Sequence, residues 1–121
     1  SIGLGFYASE SRNAALIVSF DTQELRNCCS SLRAAEGRFG ASAADELITM
    51  LAEAEVFENA NDFIEFRSPE SSAIGDSIQI KIGEVLKVQF VAVGTKIERN
   101  EKSEIIWNSV RRLKMTEAKP C

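Results

Sequence analysis

The spacing of apolar and polar positions changes along the chain, and the changes mark its elements. Residues 15–20, Ala-Leu-Ile-Val-Ser-Phe, have the β-branched, apolar character of a buried strand. Asp21 and Glu24 then stand at capping-box spacing. In that motif an N-cap oxygen accepts a free backbone N–H and the later carboxylate reaches back, so a helix is expected to start there. Leu25, Cys28, Cys29, Leu32, Ala35 and Phe39 recur at helical spacing, with Arg26, Arg33 and Glu36 off that face. Gly37 and Gly40 weaken or end the helix. Ser42 with Asp45 offers a second start, and Ala44, Leu47, Ile48, Leu51 and Ala54 form the next apolar stripe. The two segments predict a helical hairpin whose stripes read as core.

Beyond this hairpin the period falls to two. Ile78, Ile80 and Ile82 alternate with Gln79 and Lys81, Gly83 and Glu84 interrupt, and Leu86, Val88 and Phe90 alternate with Lys87 and Gln89. That pattern predicts a β-hairpin with one face buried. Residues 94–104 read as a hydrophilic loop. In the final segment Ile106, Val110 and Leu113 fit a helix while Leu113 and Met115 alternate like a strand, and periodicity leaves both open. Residues 1–13 are weakly patterned and are expected to form an N-terminal extension covering part of the body through Leu4, Phe6 and Tyr7. Residues 14–121 then form a single α+β domain.

Composition narrows the classes. A chain of 121 residues can bury one core without disulfides or metal, and 45% hydrophobic with 26% charged residues excludes disorder as the default. No apolar run reaches bilayer length and the N-terminus lacks a secretory signal, so a cytoplasmic protein without a membrane partner is expected. Cys28, Cys29 and Cys121 make neither a disulfide framework nor a metal site, and read as reduced thiols with Cys28 a small core residue. The absence of histidine removes the usual partner for an activated thiol and the commonest general acid or base.

A formal net charge of −4 and a pI near 4.9 argue against nonspecific binding to a polyanion. The charge is nevertheless uneven. Over residues 1–66 acids outnumber Arg12, Arg26, Arg33 and Arg38. Residues 96–119 carry Lys96, Arg99, Lys102, Arg111, Arg112, Lys114 and Lys119 against four glutamates. This basic end reads either as a phosphate site or as a solvated strand edge whose cations discourage aggregation.

The order of strand, helical hairpin and antiparallel strands resembles the RelE/ParE toxin superfamily, and particular residues are similar to its HigB-like plasmid-maintenance killer branch. Glu24-Leu25-Arg26 with Cys28 or Cys29 is similar to the first helix of that branch. Phe39-Gly40, Ala44, Leu47, Leu51-Ala52-Glu53-Ala54 and Asn61-Asp62-Phe63 are similar to the second helix and its exit. Residues 78–90 resemble the central hairpin and residues 107–115 the terminal strand, so the resemblance implies a strand at the chain's end. It further implies a RelE-like fold, an N-terminal strand and helical hairpin packed on a small antiparallel sheet.

The resemblance also implies a toxin of a type II toxin–antitoxin module that cleaves messenger RNA on the ribosome and is restrained by a helix-turn-helix antitoxin. Such an endoribonuclease needs no metal or other cofactor. It needs a group to take the proton of the attacking 2′-hydroxyl, one to protonate the leaving oxygen, and a cation facing the developing charge. Carried over residue by residue, the implied catalytic set is Lys87, Arg112 and Lys114. Lys87 stands where the family usually has arginine, keeping the charge without the planar fork. The family's terminal histidine has no counterpart in Glu117-Ala118-Lys119-Pro120-Cys121, and Ser71-Ser72-Ala73-Ile74-Gly75-Asp76 replaces its glycine- and arginine-containing segment. Trp107 reads as a packing residue rather than a base-stacking one.

Three readings follow: an active ribonuclease, whose basic residues cluster on one sheet face; a non-catalytic protein-binding module on the same fold; and an unrelated α+β protein with a small-ligand pocket. The residues leave cleavage and its loss both open.

Overall fold

The computed structural model describes residues 16–68, 70–83 and 86–120; the expectations for residues 1–13 and for Cys121 lie outside them. In chain order the elements are β1 (Ile17–Phe20), α1 (Gln23–Cys28), α2 (Leu32–Phe39), α3 (Ala41–Ala54), α4 (Ala60–Arg67), β2 (Ser71–Ile74), β3 (Ser77–Ile82), β4 (Leu86–Ala92) and β5 (Arg112–Pro120). A 3₁₀ turn at Trp107–Ser109 precedes the last strand. The strands make one sheet in the order β1-β5-β4-β3-β2. β1 runs parallel to β5 and the remaining pairs are antiparallel. The class is therefore α+β, as the sequence pattern implies, with a parallel pair where an all-antiparallel sheet was expected.

Period-two alternation places the core. Ile78, Ile80 and Ile82 of β3, Leu86, Val88 and Phe90 of β4, and Leu113 and Met115 of β5 are buried on one face of the sheet. The helices cover that face. Leu47, Met50 and Ala54 of α3 and Ala60 and Phe63 of α4 join the same cluster. Phe63 meets Phe90 edge-on with ring centroids 6.4 Å apart, an arrangement that suits the aromatic quadrupole. Trp107 is half-buried against this cluster, in keeping with a packing role.

Several local expectations need correction. The first strand was expected to be buried, but β1 is an edge strand. Among the described residues its one neighbour is β5, and Ile17, on the sheet face it shares with Arg112, is 51% exposed while Leu16 just before the strand is buried. The first helix is not continuous, because the chain breaks at Cys29-Ser30-Ser31 and restarts with the Ser31 side chain accepting from the Ala34 N–H. Its opening cap is Thr22, whose hydroxyl accepts from the Leu25 N–H at 3.1 Å, and not Asp21. Of the adjacent thiols, Cys29, the residue that caps the first helix, is the buried one, and Cys28 is half-buried.

Gly40 closes α2 and opens α3. Its φ of +92° is a left-handed conformation that a side chain would strain, and it leaves Ser42 inside the helix rather than at its cap. Gly37, expected to weaken the helix, lies within α2. α4 and β2 were not anticipated as elements of their own. α4 begins where the Asn59 side chain accepts from the Asp62 N–H at 2.9 Å, converting the expected helix exit into a new helix. The final segment resolves into a 3₁₀ turn at Trp107–Ser109 followed by strand from Arg112.

Cap identity gives a direct check. Thr22→Ala removes the acceptor for the Leu25 N–H and is expected to lower the free energy of urea unfolding by about 1 kcal/mol. Ser42→Ala, at the position expected from sequence to be a cap, is expected to change it by less than about 0.5 kcal/mol.

Candidate functional site

Among the described residues no helix packs on the opposite face of the sheet, and the residues alternating with the core residues populate it. Lys81, Lys87 and Lys119 stand directly opposite one another on β3, β4 and β5. Beside this row runs a second one of Gln79, Gln89 and Glu117. Further along, Ser77, Val91, Lys114 and Ser19 lie in register across four strands. Arg112 is opposite Ile17 at the far end.

Like charges directly opposite on neighbouring strands are destabilising. Three lysines in one row make that unfavourable contact twice. Lys119 meets Glu117 at 3.5 Å, whereas Lys81, Lys87 and Arg112 form no ion pair with a described carboxylate. Lys114 is held by Asp21 at 3.7 Å. The face is thus a partly compensated cationic strip, with Lys81, Lys87 and Arg112 unpaired by any described carboxylate and two amides and Glu117 beside the lysine row, suited to holding an anion that reaches across strands.

The three residues implied by resemblance, Lys87, Arg112 and Lys114, share this face but do not meet. The Val93 N–H donates to the Arg112 carbonyl at 3.0 Å, so Arg112 lies at the level of Val93 on the neighbouring strand. Six strand positions separate Val93 from Lys87, about 20 Å at strand rise. Lys114 pairs across with Val91 and lies between the two. The face therefore offers distributed cations, not a general base, acid and cation around one phosphorus. Lys81 and Lys119 were missed by the sequence reading. Lys81 carried a usable signal, because closing the hairpin through Ile82 and Leu86 places it opposite Lys87.

Other chemistry is sparse. Among the described residues no cluster of cysteine, aspartate and glutamate could hold a metal ion, and no helix is long and apolar enough to cross a membrane. Cys29 is buried with its Sγ 4.0 Å from the Met115 Sδ. Burial, with Cys28 alongside, pushes its thiol up to about 12. It is therefore protonated and unreactive near neutral pH, a core residue rather than a nucleophile. Comparison of the chain with family models, curated proteins and solved structures finds no match.

Two outcomes follow. Lys87→Gln removes the central charge of the row and is expected to raise stability by about 0.2–1 kcal/mol at low ionic strength. Urea titrations at rising salt concentration should show the gain shrinking as screening takes over. For Cys29, the unfolded thiol ionises near 9.0 while the folded one keeps its proton to about 12. The folded state binds the extra proton in that window, so the stabilisation is complete below pH 9.0 and is lost as pH rises towards about 12. The stability difference between the parent and Cys29→Ala, measured by denaturant unfolding, should be flat below pH 9.0 and fall above it.

Proposed function

We propose that the chain is a toxin-like member of the RelE/ParE superfamily, of the HigB-like branch, that engages messenger RNA in the cytoplasm through the open face of its sheet and is restrained by a helix-turn-helix antitoxin. The observation that carries the reading is the row Lys81, Lys87 and Lys119, extended by Lys114 and Arg112 on the same face. A single-stranded RNA laid across the strands would place phosphates near Lys81 and Lys87, which stand opposite each other without a described carboxylate partner. Counterion release would supply the affinity. The chain order of strand, helices and antiparallel strands, with the last strand paired to the first, supports the family reading.

A second reading, binding without cleavage, is favoured by one specific feature. The candidate catalytic cations are spread over about 20 Å of sheet at strand rise, and Lys114 is engaged with Asp21. A transesterification centre needs its proton acceptor, proton donor and cation within hydrogen-bond reach of one phosphodiester. On geometry the RNA-holding part of the function is better supported than the cutting part.

The test has two arms. Filter binding of single-stranded RNA should weaken with salt at a log–log slope of about −2 to −3, from three to four phosphate contacts. The triple variant Lys81→Ala, Lys87→Ala, Lys119→Ala should flatten that slope by about 2. RNA binding that is absent at low salt would overturn the reading. In the second arm, methionine incorporation is followed in a bacterial host within minutes of induction. Collapse with the parent but not with Lys87→Ala, Arg112→Ala, Lys114→Ala indicates a toxin acting through these cations. Unimpaired synthesis together with salt-dependent RNA retention selects binding without cleavage.

A further inference from the structure

At the end of the sheet away from the lysine row, the chain leaving β4 folds back beside the 3₁₀ turn and shapes a cleft of about 610 Å³. Its walls are braced by backbone hydrogen bonds. The Glu98 N–H donates to the Ser109 Oγ at 2.8 Å, and the Ile106 N–H donates to the Glu98 carbonyl at 2.8 Å. The Ser109 hydroxyl itself donates to the Ile106 carbonyl at 2.6 Å. Across the cleft mouth, the Val93 N–H holds the Arg112 carbonyl at 3.0 Å. The Arg111 guanidinium is steadied by donating to the Glu58 carbonyl at 3.3 Å. These contacts fix the cleft before any ligand arrives, which lowers the ordering cost of binding.

Lys96, Arg111 and Arg112 all line this cleft, and none forms an ion pair with a described carboxylate. Arg99, on the same loop, shows the contrast, since its guanidinium is held by Asp76 at 3.0 Å. Lys96 and Arg112 have no such partner and Arg111 has only a neutral carbonyl, so an anion entering the concavity meets positive charge that no described carboxylate offsets. Arginine presents a planar fork matched to phosphate oxygens, and two of the three cations are arginines. The remaining lining is mixed. Val93 and Ile97 supply an apolar wall and Asn108 an amide that can both donate and accept. Glu98 is the one acid present and can only accept, which suits sugar hydroxyls and disfavours a densely charged polyphosphate.

We infer that this cleft binds a phosphate-bearing small molecule of nucleoside monophosphate size. Its volume lies within the range of small-ligand sites, about 300–1,000 Å³. The phosphate faces Lys96, Arg111 and Arg112, the apolar wall covers the base and Glu98 accepts from sugar hydroxyls. The inference needs neither RNA cleavage nor the lysine row, although Arg112 belongs to both surfaces.

Isothermal titration with adenosine 5′-monophosphate, adenosine and inorganic phosphate tests it. The monophosphate is expected to bind at least about tenfold more tightly than adenosine, because charge-assisted phosphate contacts carry the affinity. It should also bind more tightly than inorganic phosphate, because the apolar wall contributes. Lys96→Ala and Arg111→Gln should each weaken it about tenfold. Lys87→Ala, at the other end of the sheet, should leave it unchanged. Arg111→Lys, which keeps the charge, should recover part of the loss. Three results would overturn the proposal: no monophosphate binding at millimolar concentration, inorganic phosphate binding as tightly as the monophosphate, or equal weakening by Lys87→Ala and Lys96→Ala. RNA retention by the same Lys96→Ala and Lys87→Ala variants separates failure here from failure of the RNA reading, because only Lys87 belongs to the lysine row.

Discussion

The last strand holds the first to the hairpin, and the rest of the fold depends on that junction. β5 lies between β1 and β4 and is paired to both. The Asp21 N–H donates to the Met115 carbonyl at 2.9 Å and the Ser19 hydroxyl to the Leu113 carbonyl at 3.4 Å. Leu113 and Met115 are fully buried beneath these contacts. The helices are tied to the starts of both strands, since the Ala60 N–H donates to the Val110 carbonyl just before β5 and the Leu16 N–H, just before β1, donates to the Phe57 carbonyl. Joining segments so far apart in sequence carries a loop-closure cost that only the completed core offsets. Pairings between segments so far apart in sequence slow folding relative to local ones.

β5 also supplies Arg112, Lys114 and Lys119 to the open face while burying Leu113 and Met115. Strict alternation cannot do all of this, because Lys114 and Lys119 are an odd number of positions apart. A β-bulge resolves the conflict. The register between β4 and β5 shifts between Gln89 and Phe90, leaving Thr116 as the extra residue. Its hydroxyl donates to the Gln89 carbonyl at 3.3 Å. Beyond the bulge Glu117 and Lys119 return to the open side, opposite Gln89 and Lys87. Bulges re-aim side chains in this way. Without it, Lys119 would face the core and the lysine row would end at Lys87.

The sequence reveals these layers unequally. The hairpin of β3 and β4 was legible because strict alternation over two apolar runs has only one reading, and closing it through Ile82 opposite Leu86 fixes the pairing of Lys81 with Lys87. The α3 stripe was legible for the same reason. The break between α1 and α2 was not, because Leu25, Cys28, Cys29 and Leu32 keep helical spacing across it while Ser31 restarts the cap locally. β1 looked buried because Ile17 and Val18 are β-branched, and a four-residue run does not say whether it has one neighbour or two. Lys119 was beyond reach, since its orientation depends on a bulge opposite Gln89 that no residue type announces. The resemblance placed Lys87, Arg112 and Lys114 on one sheet without giving the register that separates them.

The negative net charge is compatible with a locally cationic sheet face, because many of the carboxylates lie on the helix layer, while Glu117 and Asp21 offset part of the sheet's positive charge. Glu36, Asp45, Glu46, Asp62 and Glu65 are exposed on the helices and Glu55 caps one, whereas Lys81, Lys87, Arg112, Lys114 and Lys119 line the sheet face on which no described helix packs. A helix is about 10–12 Å across with its side chains. The screening length at physiological ionic strength is about 8 Å. An anion close to the strands therefore feels the lysines at short range and the helix carboxylates from the far side of the core, at a greater distance. At very low ionic strength the acidic layer contributes repulsion at long range and slows approach. At physiological salt that repulsion fades while contact attraction persists, so the layered charge favours ligands that lie flat on the sheet over polyanions that surround the whole molecule.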